Sequence, residues 1–315
     1  VHDVRPAMFF STVFCCSMML GYFGTPFLAA SRPETAMRLM MRTGKEHAGV
    51  QALEWFRYDA EKGCAEAQYI LGLMRESGWG LPKDDAKAAV WYRKAAERGH
   101  AASQYSLGLM VANGRGAPKS DADAIEWFRR AARQELPDAQ VRLGVAYSEG
   151  LGAPQDDAEA MKWFRRAAER GDPRALFHLG LMYANCRGIL LPDVILAEEC
   201  LRRAAEQGHT GARNQLGRFY LYGPVMMQNS LRAASWFLKA AEQGDAEAQN
   251  NIAMMYAKGT GVPLDKREAY SWFFIAGRLG HAEARRHAEK LRVHIPDAEE
   301  IERKADETIR RNGWK

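Results

Sequence analysis

An internal repeat of 36 residues restricts this 315-residue chain to a few architectures. Tryptophan recurs at that interval, with a cysteine one residue late in the fifth slot: Trp55, Trp91, Trp127, Trp163, Cys200, Trp236 and Trp272. A leucine–glycine pair keeps the same interval at 71/72, 107/108, 143/144, 179/180 and 216/217, and alanine pairs keep it at 95/96, 131/132, 167/168, 204/205 and 240/241. Three series with one period predict a repeat protein whose units pack on their neighbours.

Each repeat is predicted to form two helices joined by a short turn. In the unit from residue 137 to 171, apolar residues occupy one face of each helix: Ala139, Leu143, Ala146 and Tyr147 in the first, and Ala160, Trp163, Phe164, Ala167 and Ala168 in the second. Gly150 and Pro154 mark the turn, and Asp156 or Asp157 is placed to cap the second helix. Gly144 falls inside the first helix, where we expect close approach of the paired helix to compensate its low helix propensity.

Composition indicates a folded chain with a distinct N-terminal segment. Hydrophobic residues make up 47% of the chain, and 44 cations are offset by 39 anions, a balance that argues against a nucleic-acid partner. Residues 7–30 carry no charge. This segment is predicted to be a secretory signal peptide cut near Ala30 or an uncleaved membrane anchor. The arginines that follow it disfavour easy export, so both alternatives stay open.

The units resemble the Sel1-like repeat, a relative of the tetratricopeptide repeat. The stretches "AEAQYILGLM", "DAQVRLGVAYSEGLGAPQDDAEAMKWFRRAAERGD" and "AEAQNNIAMMYAKGTGVPLDKREAYSWFFIAG" are similar to its consensus. The resemblance implies an all-α fold, a right-handed superhelical solenoid of about six helix-turn-helix repeats over residues 65–282. Residues 1–30 precede it as signal or anchor, residues 31–64 resemble a degenerate N-terminal repeat or cap, and residues 283–315 are expected to form C-terminal capping helices.

The function that this resemblance implies is a non-enzymatic scaffold that binds a protein or peptide at the bacterial cell envelope. The expected location is periplasmic or secreted; the alternative is the same scaffold anchored in the inner membrane, with membrane contact only through residues 7–30. No cofactor, metal, nucleic acid or small-molecule substrate is expected.

A partner site is predicted on the first helices of the last two repeats. In tetratricopeptide proteins the first helices line a groove, and the corresponding positions in repeats one to four are mostly apolar: Tyr69, Leu73, Tyr105, Leu109, Val141, Val145, Phe177 and Leu181. This apolar strip is expected to be partly consumed in stacking. In repeats five and six the same positions become polar or cationic: Asn214, Arg218, Tyr222, Asn250 and Lys258. Such side chains suit a peptide backbone or a carboxylate, so we predict that they contact the partner.

Basic pairs recur on the second helices, at 93/94, 129/130, 165/166 and 202/203. They could hold an anionic partner, but the spacing of Arg93 with Glu97 and of Arg165 with Glu169 favours ion pairs on a solvated outer face.

Two cysteines depart from the repeat pattern within one unit. Cys186 stands where other units have glycine, in an extended loop "NCRGILLPD", and Cys200 replaces the tryptophan. A disulfide between them can form in an exported protein. The geometry argues against it: Cys186 ends the first helix, whereas Cys200 lies about 10 Å along the axis of the second, and a disulfide allows only about 7 Å between Cα atoms. The next unit has the loop "LYGPVMMQNS", which lacks its second glycine.

Catalytic motifs are absent from the sequence: it contains no H-E-x-x-H, G-x-S-x-G, S-x-x-K or glycine-rich phosphate loop. His100, His209 and His281 recur at one turn position, too far apart to share a metal. Some cysteine-rich Sel1-like proteins are linked to β-lactam binding or hydrolysis, which is the enzymatic alternative. The regular cysteine pairs of those proteins are missing here.

Overall fold

The computed structural model describes the backbone of residues 46–314 and the side chains of residues 53–314. Within these residues the chain forms fifteen α-helices, one 3-10 turn and no strand. The α-helices are α1 (Glu46–Glu61), α2 (Ala65–Ser77), α3 (Asp85–Glu97), α4 (Ala101–Asn113), α5 (Asp121–Arg133), α6 (Pro137–Glu149), α7 (Asp157–Glu169), α8 (Pro173–Ala184), α9 (Val194–Glu206), α10 (Thr210–Tyr222), α11 (Ser230–Ala241), α12 (Ala246–Lys258), α13 (Lys266–Arg278), α14 (Ala282–Arg292) and α15 (Ala298–Asn312). The 3-10 turn is Val225–Met227. The predicted signal or anchor segment, residues 7–30, lies outside the described residues.

Helices α2 to α13 form six antiparallel pairs, and each second helix also packs on the first helix of the next pair. Contacts therefore run from neighbour to neighbour along the chain, which is the arrangement of a solenoid. The all-α solenoid predicted from the sequence is confirmed.

The turns within and between pairs are built from local capping contacts. Asp156 caps α7 by accepting a hydrogen bond from the backbone N–H of Glu159 at 2.9 Å, and Gly150 ends α6 with a φ of 71°. The histidines of the other turn also act as caps: Nδ1 of His209 accepts from the N–H of Ala212 at 3.0 Å. The turn positions of these residues were thus readable from the sequence.

The core of five of the six pairs is centred on the aromatic residue that follows the tryptophan, and Leu201, after Cys200, takes its place in repeat four. Phe164 is 1% exposed and packs on the backbone of Gly144, whereas Trp163 is only partly buried. The rings of Tyr92, Phe128 and Phe237 pack in the same way on Gly72, Gly108 and Gly217. The close approach expected at the helical glycines is therefore between a ring and the backbone.

Four half-buried tryptophans each have a cation three residues later that lies over the ring. Cation-to-ring distances range from 4.2 to 5.6 Å in the pairs Lys94–Trp91, Arg130–Trp127, Arg166–Trp163 and Lys239–Trp236. In the first three repeats this cation is the second member of the basic pair, and in each case it shields part of the ring from water.

The predicted pairing of Arg165 with Glu169 is wrong. Nε and Nη2 of Arg165 donate instead to the hydroxyl of Tyr183, at 3.3 and 3.2 Å, in the first helix of the next repeat. Arg129 donates in the same way to the hydroxyl of Tyr147 at 2.9 Å. These arginines therefore join successive repeats.

The last two helices close the end of the array. Helix α15 packs mainly on α13, and Arg292 at the end of α14 pairs with Glu302 of α15 at 2.8 Å. The hydroxyl of Tyr270 donates to Glu302 at 2.5 Å, and Arg278 pairs with Asp306 at 3.1 Å. This helix therefore covers the side of α13 that a further repeat would otherwise cover.

Candidate partner-binding surface

The first helices of successive repeats lie side by side and form one continuous surface, called here the first-helix surface. Side chains bridge neighbouring first helices along its length: Arg174 pairs with Asp138 at 2.8 Å, and Arg218 pairs with Glu247 at 2.7 Å. The rings of Phe177 and His209, 4.7 Å apart, stack between repeats four and five. Because these helices are held by two sets of neighbours, the surface is preorganised for a ligand.

The apolar strip on this surface is partly consumed in stacking, as expected. Tyr69 and Val141 are buried, and the other members are half-buried: Leu73, Tyr105, Leu109, Val145, Phe177 and Leu181. What remains accessible is a shallow apolar line rather than a set of free side chains. A ligand would find ring edges and methyl groups there, not deep pockets.

Two of the five predicted contact residues lie inside the packing. Asn214 is 7% exposed; its Oδ1 accepts from Asn251 at 3.1 Å and its Nδ2 donates to Asp245 at 3.4 Å. Asn250 is 8% exposed, and its buried Oδ1 has no hydrogen-bond partner among the described residues. The structure thus places these two asparagines between repeats rather than on the open surface.

The other three predicted residues are exposed and lie together. Arg218 and Tyr222 are one helical turn apart on α10, and Lys258 occupies on α12 the position that Tyr222 occupies on α10. Sequence reasoning missed two neighbours of this group, Glu247, which pairs with Arg218, and the partly exposed Met254. We call Arg218, Tyr222, Met254 and Lys258 the cationic end of the first-helix surface.

A buried histidine cluster lies at the centre of the surface, in repeat four. His178 stacks on Phe164 with ring centroids 4.7 Å apart, and burial, followed by the nearby His209 and Arg174, lowers the pKa of His178 to about 4. Burial also lowers the pKa of His209. Burial opposes ionisation of Asp172, but its hydrogen bonds and charge interaction with Arg174 outweigh it and lower the pKa of this carboxyl. The histidine side chains at the centre of the surface are therefore neutral, and an ion pair between Asp172 and Arg174 lies beside them.

Both departing cysteines are free thiols. Cys186 is exposed in the loop after α8, with a φ of 56°, and Cys200 is buried in α9, where burial raises the pKa of its thiol. The possible disulfide between them is not formed. The predicted distance between the two cysteines argued against this disulfide. In the structure the thiol of Cys186 faces solvent and that of Cys200 faces the core.

The described part of the chain shows no candidate metal site and no candidate membrane span. No group of three or more histidine, cysteine, aspartate or glutamate side chains there is arranged to hold a metal ion. None of the helices between residues 46 and 314 combines the length and the apolar character needed to cross a membrane.

Comparison with known proteins identifies the repeats. The family model described as "Sel1 repeat" matches six consecutive segments, residues 65–100, 101–136, 137–172, 173–209, 211–245 and 246–281. No curated protein matches the chain.

Two solved structures are similar to the chain over most of its length. One is a protective antigen present in uropathogenic Escherichia coli strains, which displays an SLR fold; it is 36% identical, with a TM-score of 0.72 over 83% of this chain and 56% of its own. The other is a Sel1 repeat protein from Oxalobacter formigenes, 33% identical, with a TM-score of 0.68 over 78% of this chain and 99% of its own. The present chain thus spans little more than half of the first of these structures.

Proposed function

This chain belongs to the Sel1 repeat family, whose members are typically protein–protein interaction scaffolds, and from that premise we propose that it binds a protein or peptide along the first-helix surface. The observation that carries the proposal is the exposed group at the cationic end, Arg218, Tyr222 and Lys258, next to a half-buried apolar strip. A repeat surface whose stacking contacts are complete leaves such side chains free for a ligand.

The chemistry of the surface favours an extended acidic segment or a C-terminal carboxylate. Arg218 already forms an ion pair with Glu247 in which both side chains are about half exposed, so an incoming carboxylate can replace Glu247 without uncovering a buried charge. Tyr222 is 72% exposed and offers both a ring face and a hydroxyl. The half-buried apolar strip would take side chains of the same segment further along.

We place this activity in the cell envelope or outside the cell. The uncharged segment 7–30 is what export or anchoring requires. The similar protein from uropathogenic Escherichia coli strains is a protective antigen, and an exported location of this chain would agree with that. N-terminal sequencing of the mature protein separates a cleaved signal from an inner-membrane anchor.

A non-enzymatic role is part of the proposal. The enzymatic alternative is β-lactam binding or hydrolysis, and it is tested directly with a fluorescent penicillin and with nitrocefin. Covalent labelling by the penicillin, or nitrocefin turnover above that of a heat-denatured sample, would contradict the non-enzymatic role and support an enzymatic one.

The proposal is tested by affinity capture from the native cells with quantitative mass spectrometry. The variant R218E/K258E reverses two cations at the cationic end, and the matched control R93E/R203E reverses two exposed cations on second helices. We expect the first variant to lose a partner that the control keeps. Equal capture by both variants, with both folded, would place the partner elsewhere and contradict the proposal.

A further inference from the structure

A second exposed surface lies at the edge of the solenoid where first helices end and second helices begin. Large apolar side chains concentrate there in repeats four and five, and we call this set the loop-edge patch: Leu190, Leu191, Ile195, Leu196, Val225, Met226 and Leu231. Leu190 is 99% exposed and Met226 is 86% exposed. Isolated exposed leucines are common, but seven clustered in two adjacent repeats indicate an interaction surface.

Two members of the patch stand where the first three repeats have a small residue. Ile195 and Leu231 occupy the second position of their helices, which is alanine in the first three repeats: Ala86, Ala122 and Ala158. Stacking of repeats therefore does not require a large side chain at this position. The first three repeats form their stacking contacts with alanine at this position. Ile195 and Leu231 are therefore not needed for stacking.

Repeat five has Val225 in place of the second loop glycine, and this explains why its loop is exposed. In repeat three, a Cβ on Gly152 would lie 2.3 Å from the carbonyl oxygen of Asp121, so only glycine allows that loop to approach the preceding second helix. Val225 holds the equivalent position in repeat five, and the chain forms the 3-10 turn Val225–Met227 instead. Val225 and Met226 then point to solvent, 84% and 86% exposed.

The two loops are neighbours. A cavity of about 290 Å³ is lined by Glu198 of α9 together with Met226 and Met227 of the 3-10 turn, which places the turn beside the N-terminal half of α9. Ile195 and Leu196 belong to the first turn of that helix, and Leu190 and Leu191 lie in the loop that leads into it. The patch is therefore one surface with a projecting loop on one side and a cavity on the other.

We propose that the loop-edge patch is the contact surface of a homodimer, with a second copy of this chain as its occupant. Each aliphatic side chain offers roughly 100 Å², so that seven present on the order of 700 Å², close to the about 800 Å² that each partner contributes to a stable interface. A two-fold contact places the same surface of both copies face to face, so the aliphatic side chains of one copy would be covered by those of the other.

Charge also favours a second copy over a membrane. Residues 188–192 and 219–231 carry no charged side chain, so two such loops can meet without like-charge repulsion. The charges beside them are mixed, with Arg187 and Arg232 next to Asp193, Glu198 and Glu199, so the patch lacks the excess of cations that binds an anionic lipid surface. Arg218 and Lys258 lie outside the patch, and this inference does not rest on the proposed partner site.

Sedimentation velocity of the full chain tests the dimer between about 1 and 100 µM. The variant L191E/M226E introduces two charges in the patch, and the control V90E/V293E introduces two charges at exposed apolar positions elsewhere. We expect wild type and control to dimerise with the same dissociation constant and the patch variant to weaken by at least about tenfold. All four positions are exposed, so circular dichroism should show the same helix content in each protein.

A monomeric wild type throughout that range would overturn the inference, and so would a dimer unchanged in L191E/M226E. Flotation with phosphatidylcholine–phosphatidylglycerol vesicles provides the other decisive result. If a monomeric wild type floats and L191E/M226E does not, the patch is a membrane-binding surface and the homodimer is rejected.

Discussion

The ring of Phe164 lies so close to the backbone of Gly144 that a Cβ on residue 144 would stand 2.6 Å from Cε1 of the ring. Glycine at this point of a helix costs about 0.5 to 1 kcal/mol relative to alanine. The repeat keeps the glycine because the buried ring fills the space that a side chain would occupy. This contact joins the two helices of a repeat and recurs in most of the array.

Replacing Gly144 by alanine is therefore expected to destabilise the protein, although alanine is the better helix former. The ring of Phe164 is fully buried and has to shift, a change that costs about 1 to 3 kcal/mol. Urea unfolding of G144A measures the loss. The control is G211A, since a Cβ at Gly211 meets ordinary contacts of 3.4 Å and more and should be neutral or stabilising. Equal effects of the two substitutions would contradict the packing described here.

A double-mutant cycle distinguishes the two partners considered for Arg165. We expect a coupling of about 0.5 to 1 kcal/mol between R165M and Y183F, because the guanidinium donates to the hydroxyl of Tyr183. The parallel cycle with E169Q should give a coupling near zero. A larger coupling with Glu169 than with Tyr183 would support the ion pair that the sequence predicted on the outer face.

Stability is expected to fall between pH 6.5 and pH 4 because of His178. Its pKa is 6.5 when unperturbed and about 4 in the folded protein, so below pH 6.5 the unfolded chain binds a proton that the folded chain does not. The contribution at neutral pH is of order 2 to 3 kcal/mol and is lost as the pH drops through this window. The lowered pKa of Asp172 acts only below its ordinary value of 3.8.

The measurement is the slope of unfolding free energy against pH. We expect H178L to have a smaller slope than wild type, with the remainder due in part to His209. The exposed His294 provides the control, and H294Q should keep the wild-type slope. An unchanged slope in H178L would show that His178 is not held neutral by burial.

Asn214 is expected to affect stability more than binding. Alanine at this position leaves Asn251 without its acceptor and removes one of the two donors to Asp245, which keeps the N–H of Ala248, at a cost of about 1 to 3 kcal/mol. The exposed Lys258 should tolerate alanine within about 0.5 kcal/mol. Thermal unfolding of N214A and K258A decides this, and equal melting temperatures would contradict the burial of Asn214.

The sequence predicts the repeats, helix pairs and caps because those signals are local and periodic. Asp156 and Gly150, for example, are cap residues next to the helices they cap, so a short stretch of sequence is enough to predict their roles. Two adjacent aromatics give no such signal, and the choice of Phe164 over Trp163 as the buried ring depends on a glycine in another helix. The partner of Arg165 is likewise 18 residues away, beyond any helical spacing.

The candidate sites were predictable only in part for the same reason. Arg218, Tyr222 and Lys258 are exposed, and the repeat period indicates which positions share a face, but their contact with a partner stays a prediction. The burial of Asn214 depends on Asp245 and Asn251, which belong to the next repeat, and no pattern within one repeat reveals it. The loop-edge patch combines residues of two loops that depart from the repeat, so a consensus could not indicate it.

Hydrogen exchange of the protein with its captured partner tests the scaffold most directly. The account predicts slower exchange in the C-terminal halves of α10 and α12, which carry Arg218, Tyr222 and Lys258, and unchanged exchange in the second helices α3, α5 and α7. Protection confined to those second helices, with α10 and α12 unaffected, would contradict binding on the first-helix surface.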